Sequence, residues 1–210
     1  MQSLLDATKF EWHQISNVTA KGNGATSSVE IEMISRKGED SAYAKRIGGG
    51  TTAEAWYVDD VYYVKNKNGQ VKYEDVTFAQ FCTDQIAMFD EEDVFELSDI
   101  QFTGVLFQPD EDNYVLRLPV SETEGKMLCT QMGYADAENV EYTLVLTYNA
   151  EGELLLHTYE LSFTTVSQGV SVEVDVLLDT QIVALNKNIT VSAPEQAASY
   201  VTTVYPTEEE

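Results

Sequence analysis

Two histidines, His13 and His157, are the side chains of this sequence best suited to move protons at neutral pH. A catalytic triad would place one of them beside a nucleophile and an acid, but the Gly-x-Ser-x-Gly motif of one common nucleophile turn does not occur. His157 falls on the apolar side of a predicted hairpin, where a hydrogen-bonded core histidine is the commoner role. The histidines therefore predict no catalytic site.

The two cysteines, Cys82 and Cys129, are 47 residues apart and belong to no Cys-x-x-Cys pair. Their spacing fits neither a zinc site nor a thioredoxin-like redox site. Each lies on a predicted helix, and two interpretations stay open: buried free thiols, or a disulfide across two packed helices in an exported protein. Both interpretations give the cysteines a structural role.

Acidic clusters at 90–93 and 110–112 have the oxygen ligands that Ca²⁺ prefers, but the ordered pattern of an EF-hand loop is absent. Solvated loop carboxylates are the favoured interpretation. The glycines at 48–50 are followed by no lysine and open no helix, which favours a hairpin loop over a phosphate-binding loop. The sequence thus predicts no metal, no cofactor and no enzymatic activity.

The net charge of the chain restricts the classes of partner that it can bind. The chain has 12 Lys and Arg against 36 Asp and Glu, a net charge of -24, and its excess of acids lies after residue 72. Such a charge repels nucleic acids and anionic membrane surfaces. The acids form either a solvated surface, the favoured interpretation, or a face that binds cations or basic partners. No apolar run could span a membrane, and Met1–Asp6 lacks the pattern of a signal peptide, so an exported protein would be represented here by its mature part.

Most of the chain alternates between apolar and polar residues, the pattern of half-buried antiparallel strands. Val172, Val174 and Val176, for example, alternate with acids. Turn residues separate these runs. Strands are predicted at 15–21, 28–35, 41–47, 52–58, 61–67, 70–74, 100–108, 112–118, 140–149, 153–165, 170–185 and 188–191.

Three hairpins have a predicted register. A turn at Asp59-Asp60 places Tyr57 opposite Tyr62, and both are assigned to the interior together with Tyr73. A turn at Asn68-Gly69 sets Val64 opposite Tyr73. A hairpin around Glu151-Gly152 places on one face Tyr142, Leu144, Leu146, Tyr148, Leu155, His157, Tyr159, Leu161 and Phe163.

Helices are predicted in a few places only. A capping box, Thr77-x-x-Gln80, precedes an apolar stripe at helical spacing and predicts a first helix. A second capping box predicts a helix that begins at Ser121 and ends at Gly133. Weaker patterns predict helices over 2–13 and from Ser192. Because the strands are joined as hairpins, the predicted class is α+β, a large antiparallel sheet with helices packed on one face. We expect a single domain over 1–210 with a flexible acidic tail over 201–210.

An apolar surface remains as the candidate site. The interior sheet face and the first predicted helix bring together aromatic and aliphatic side chains, and Met127 and Met132 extend the helical cover. Such a surface either closes into a filled core or leaves a cavity for an apolar ligand. The predicted ligand-binding residues are Tyr57, Tyr62, Tyr73, Phe81, Ile86 and Phe89.

Four segments carry a resemblance to a known family. They are Trp56-Tyr-Val-Asp-Asp-Val-Tyr-Tyr-Val-Lys, Asn68-Gly-Gln-Val-Lys-Tyr, Tyr148-Asn-Ala-Glu-Gly-Glu-Leu and Asn188-Ile-Thr-Val-Ser-Ala-Pro194-Glu-Gln-Ala-Ala-Ser-Tyr200. With their element order, the chain resembles the LolA/LppX-like superfamily of bacterial envelope lipoproteins and lipoprotein carriers. The resemblance implies an incomplete β-barrel with helices on its concave face over a hydrophobic cavity. It also implies an extracellular or cell-envelope location, often with an upstream lipid anchor.

The function expected from the sequence is an exported, non-enzymatic binding protein that shelters a lipid, an acyl chain or another apolar small molecule between sheet and helices. The alternative is a structural or interaction module of the cell surface with a filled core, which meets a glycan or a protein through Trp56 and Tyr63.

Overall fold

The computed structural model describes residues 8–86, 100–110 and 112–206. Within them, twelve strands form one mostly antiparallel sheet in the order β12-β6-β5-β4-β3-β2-β1-β11-β10-β9-β8-β7. In chain order the strands are β1 (Phe10–Gly22), β2 (Ala25–Lys37), β3 (Ala42–Gly48), β4 (Thr51–Val58), β5 (Val61–Asn66), β6 (Gly69–Tyr73), β7 (Leu106–Asp110), β8 (Asn113–Pro119), β9 (Glu138–Tyr148), β10 (Leu154–Ser167), β11 (Val170–Leu185) and β12 (Val201–Thr202).

Short helical segments lie between groups of strands. Helix α1 (Phe78–Phe81) continues into a π-helical turn, Cys82–Ile86, and helix α2 covers Glu122–Gln131. A 3-10 turn follows at Ala197–Ser199. Since most strands are joined as hairpins and no helix connects parallel neighbours in the described ranges, the predicted α+β class with a large antiparallel sheet is confirmed.

The described residues divide into two compact units. The first unit holds residues 8–13, 32–86 and 183–206, and the second holds 14–31, 100–110 and 112–182. Strands β3 to β6 and helix α1 therefore belong to the first unit, and strands β7 to β10 and helix α2 belong to the second. The expectation of a single domain over 1–210 stays a prediction.

The meander β4-β5-β6 has the predicted faces. Tyr57 pairs with Tyr62 and both are buried, which confirms the register of the first hairpin. In the second hairpin Val64 pairs with Val71, and Tyr62 pairs with Tyr73. The predicted pairing of Val64 with Tyr73 is therefore wrong by two residues, because the turn begins one residue earlier. A two-residue shift keeps every side chain on its face, so Tyr73 still lies beside Tyr62.

The hairpin β9-β10 is confirmed along most of its length. Leu161 pairs with Tyr142, Tyr159 with Leu144 and His157 with Leu146. Near the turn a β-bulge shifts the pairing, so Leu154 takes the place that the sequence assigned to Leu155. A bulge adds one residue to one strand, and strict alternation along the sequence does not reveal it.

The predicted helix over 2–13 is wrong for its last residues, and residues 1–7 lie outside the described ranges. Phe10 and Trp12 are buried on one face of β1, and their rings stack with centroids 3.6 Å apart. Apolar residues two apart lie on one face of a strand, whereas a helix needs spacings of three and four.

Both capping boxes begin helices. Ser121 caps α2, its hydroxyl accepting from the Glu124 amide and donating to the Glu124 carboxylate, and Gly133 has a φ of 91° just after the helix. The predicted helix from Ser192 is reduced to the 3-10 turn, and residues 188–191 form no strand. The strand predicted over 100–108 begins only at Leu106.

The C-terminal segment meets strand β6. Val201 and Thr202, at the start of the predicted tail, form strand β12 and pair in parallel with Val71 and Lys72. The amide of Thr203 donates to the carbonyl of Lys72 at 3.0 Å. Residues 207–210 lie outside the described ranges, and the flexible tail stays a prediction.

Candidate functional site

The first unit contains an aromatic cluster on the interior face of the meander. We define the aromatic cluster as Tyr57, Tyr62, Tyr73, Phe78, Phe81 and Tyr205, which come from three strands, helix α1 and the C-terminal segment. Alternation along β4, β5 and β6 places the three strand tyrosines on one face. The structure thus brings together four of the six residues predicted to bind a ligand.

Phe81 lies at the centre of the cluster and is 0% exposed. Its ring meets Tyr62 edge-on with centroids 5.0 Å apart and is tilted against Tyr57 at 5.8 Å. Thr77 positions this residue, because its hydroxyl accepts from the Gln80 amide and its carbonyl accepts from the Phe81 amide. The cap thereby begins the short helix that places Phe81 against the sheet.

Tyr205 of the C-terminal segment packs against two strand tyrosines of the cluster. Its ring centroid lies 5.9 Å from that of Tyr62 and 5.1 Å from that of Tyr73, the latter in an edge-on arrangement. Its hydroxyl donates to a carboxylate oxygen of Asp84 in the π-helical turn. Tyr205 belongs to the predicted flexible tail, and no local pattern of the sequence signals its contact with Asp84.

Two buried phenol groups of the cluster, those of Tyr57 and Tyr62, stay protonated at neutral pH. Burial raises the pKa of Tyr62, and the neighbouring phenols of Tyr205 and Tyr73 raise it further. Burial is also the main cause that raises the pKa of Tyr57, followed by the charge of Asp60. The cluster is therefore an uncharged surface suited to apolar contact.

The other predicted ligand-binding residues differ in their placement. Ile86 is buried at the end of the π-helical turn. Phe89 and the acidic cluster at 90–93 lie outside the described residues. In the second unit, Met127 and Met132 are exposed rather than part of an apolar cover, because α2 buries Gly125 and Cys129 instead.

On the opposite face of the meander, Trp56 and Tyr63 each contact another aromatic ring. Trp56 is half-buried and its ring lies 5.4 Å from that of Tyr43. Tyr63 is half-buried and meets the buried ring of Tyr200 edge-on at 5.4 Å. Trp56 and Tyr63 are thus only partly exposed, and their role in meeting a glycan or a protein stays a prediction.

The second unit has an open cleft lined mostly by polar residues, which the residue pattern did not predict. Its volume is about 510 Å³, within the range of ligand sites. Two of its acids are paired: Asp175 accepts from Lys21 at 2.7 Å, and Glu160 accepts from Arg117. The lining residues are Asn17, Thr19, Ser28, Glu141, Thr143, Glu160, Leu161, Ser162, Asp175, Val176 and Leu177. In the sequence, the polar residues of this lining alternate with apolar residues. That alternation predicts a solvated outer face of the sheet rather than a binding site.

The same unit buries three polar residues in a row on its apolar face. We define the polar row as His157, Thr180 and Gln14, which are 2%, 1% and 1% exposed. His157 pairs with Thr180 across β10 and β11, and the Gln14 amide donates to the Thr180 hydroxyl at 3.0 Å. Both ring nitrogens of His157 and the side-chain oxygen of Gln14 have no hydrogen-bond partner among the described residues. A buried polar atom without a partner costs about 1 to 3 kcal/mol.

His157 is thus buried, as predicted, but it lacks the hydrogen bonds expected of a core histidine. Burial lowers the pKa of its imidazole to about 4, so the ring is neutral at physiological pH. Its ring centroid lies 4.3 Å from that of Tyr159, whose pKa burial raises to about 12. The row is uncharged and offers hydrogen-bonding atoms in apolar surroundings.

Cys82 and Cys129 are both free thiols, so the structure agrees with the interpretation that they do not form a disulfide. Burial raises the pKa of each, which makes both poor nucleophiles. Over 8–86, 100–110 and 112–206, no three His, Cys, Asp or Glu side chains are grouped as metal ligands. Within those ranges, no helix is both long and apolar enough to cross a lipid bilayer.

The sequence matches no protein-family model and no curated protein. Among solved structures, the chain is similar to a DUF1329 family protein from Desulfovibrio piger, with 11% identity, a TM-score of 0.25 and coverage of 83% of this chain and 87% of that one. It is also similar to a domain named for outer membrane lipoprotein sorting, from Vibrio parahaemolyticus, with 14% identity, a TM-score of 0.22 and coverage of 82% and 86%. Both likenesses are distant, and membership of the LolA/LppX-like superfamily stays a prediction.

Proposed function

We propose that this chain is a non-enzymatic binding protein that shelters an acyl chain or another apolar group at the aromatic cluster. The segment Thr77–Ile86 covers the sheet face there, and the apolar group would lie between the two. The contact of Phe81 with Tyr57 and Tyr62 carries the proposal, because a helix of only four residues holds this ring against the sheet. Tyr57, Tyr62, Tyr73, Phe81 and Ile86 would line the site.

The covering segment Thr77–Ile86 is held against the sheet by a small number of side chains. An isolated helix this short is not stable in water, so the buried side chains of Phe81 and Ile86, together with the ring contact of Phe78 with Tyr57, hold the segment in place. Burying each of these side chains contributes about 1.5 to 3 kcal/mol. An acyl chain contributes about 0.8 kcal/mol per CH₂, so roughly ten carbons equal or exceed both side chains together. A lipid-sized ligand can therefore replace the contacts that it removes.

The proposed location is extracellular or in the cell envelope, with an upstream lipid anchor as the route to a membrane. The resemblance described from the sequence supports this location. The net charge of -24 supports it only in that it disfavours nucleic acids and anionic surfaces as partners.

The test is uptake of dodecanoate, followed by native mass spectrometry and tryptophan fluorescence. Phe81→Glu puts a carboxylate between Tyr57 and Tyr62, and we expect the affinity to fall at least about tenfold, the equivalent of about 1.4 kcal/mol. Phe107→Glu is the matched control, since Phe107 is 60% exposed in the other unit and should leave uptake unchanged.

Circular dichroism of both variants checks that the sheet is intact. If Phe81→Glu fails to fold, Ile86→Glu gives the same test from the end of the covering segment. Equal uptake by the wild type, a folded variant at Phe81 or Ile86, and the Phe107 control would overturn the proposal.

A further inference from the structure

The polar row of the second unit has the features of a second binding site. His157, Thr180 and Gln14 lie side by side on neighbouring strands, and each is more than nine-tenths buried. The hydrogen bond between Gln14 and Thr180 leaves three polar atoms of the row without a partner among the described residues. Folded proteins rarely leave such atoms unpaired, so a row of them indicates an occupant that forms hydrogen bonds.

The chemistry of the row selects an uncharged group with both a donor and an acceptor. A neutral imidazole offers one N–H donor and one nitrogen acceptor, and the Gln14 oxygen offers a further acceptor. A hydroxyl group donates one hydrogen bond and accepts others, which matches this set. A carboxylate has only acceptor atoms and would face the lone pairs of the Gln14 oxygen. A carboxylate or an ammonium group would also be costly to remove from water.

The surroundings of the row are apolar. Leu146 of strand β9 pairs with His157, and Leu144, two pairs further along and opposite Tyr159, is fully buried. The ring of Tyr159 lies 4.3 Å from the imidazole of His157. A ligand at the row would therefore place carbon atoms, rather than a second polar group, against these neighbours.

We propose that the polar row binds the hydroxyl end of an uncharged apolar ligand, such as a long-chain alcohol. The hydroxyl would accept from the N–H of His157 or donate to the side-chain oxygen of Gln14. All the residues involved belong to the second unit, so this proposal does not rest on the aromatic cluster of the first unit.

The experiment titrates the protein with decan-1-ol and reads the side-chain nitrogen shifts of its histidines by NMR. His13 is the internal reference, because the chain has two histidines and His13 lies in the first unit. Decan-1-ol should shift the His157 resonances in a saturable way and leave those of His13 in place. Decane and decanoate at the same concentrations should not do so.

Substitutions separate this site from the aromatic cluster. His157→Leu should weaken decan-1-ol binding about tenfold, as expected for one lost hydrogen bond in a dry site. His157→Gln keeps a donor and an acceptor and should retain most of the binding. Phe81→Glu should leave the response of His157 unchanged, so the two proposals can fail independently.

Three results would overturn the proposal. The first is a His157 spectrum that does not respond to decan-1-ol. The second is decan-1-ol affinity that is the same in the wild type and in His157→Leu; if that variant does not fold, Gln14→Leu, which removes the acceptor oxygen, replaces it. The third is a crystal structure grown with decan-1-ol in which only water contacts the row.

Discussion

Gly125 of helix α2 lies against Val140 of strand β9 so closely that an added Cβ atom would be 2.7 Å from the Val140 Cγ1 atom. A real Cβ does not approach another carbon this closely. The second unit therefore packs its helix on the sheet through a position where only glycine fits. Cys129, one turn later on the same helix, is also fully buried.

We expect Gly125→Ala to lower the free energy of unfolding by about 1 to 3 kcal/mol, measured by urea denaturation. An alanine inside a helix normally raises stability by up to about 1 kcal/mol, so the sign of the change tests the contact. Gly104→Ala is the control, because its added Cβ meets no atom within 4 Å. A stabilised Gly125→Ala would contradict the close packing.

The buried imidazole of His157 predicts a pH dependence of stability. Its pKa is about 4 in the folded protein and about 6.5 when unfolded, so the unfolded chain binds the proton more readily. The stability due to neutral His157 is complete above about pH 6.5 and is lost as the pH falls toward 4. Between about pH 7.5 and pH 5 the loss is about 2 kcal/mol.

Relief of the acidic surface charge acts in the opposite direction, so the measurement compares His157→Leu with the wild type at each pH. The difference between their free energies of unfolding should change by about 2 kcal/mol across that range. A difference that does not vary with pH would show that the imidazole titrates normally in the folded protein.

Substitutions in the turn between β4 and β5 should stabilise the protein. Asp59 and Asp60 have φ values of 51° and 59°, a conformation that favours asparagine and glycine. The double substitution Asp59→Asn with Asp60→Gly should raise the free energy of unfolding by about 1 kcal/mol. Asp40→Gly removes an exposed acid at a site without positive φ and should give no gain. Equal gains would assign the effect to charge rather than to the turn.

Tyr205 should stabilise the first unit through its contacts with Tyr62 and Tyr73. Tyr205→Ala removes both ring contacts and the hydrogen bond to Asp84, and we expect a loss of about 1 to 3 kcal/mol in urea unfolding. Val204→Ala, at a neighbour that is 78% exposed, should have almost no effect. Similar small changes in the two variants would mean that the C-terminal segment does not support the aromatic cluster.

The sequence predicted the local part of the site well. Tyr57 faces Tyr62 because a two-residue turn and strict alternation leave few other registers. Thr77 and Ser121 cap their helices because the capping box is satisfied within four residues. The contacts of Tyr205 and Tyr200 could not be predicted, since they join residues more than 120 positions apart in the chain.

The alternation of residue types by itself determined which side chains face the interior, because successive side chains of a strand point to opposite faces wherever the strand lies. Only the tertiary structure decided which strands are neighbours: β1 lies between β2 and β11 although β11 follows it by some 150 residues. That pairing depends on hydrogen bonds and packing between distant segments, which no local pattern records. The tertiary structure also decided that Gln14 of β1 contacts Thr180 of β11, and this contact sets the position of the polar row.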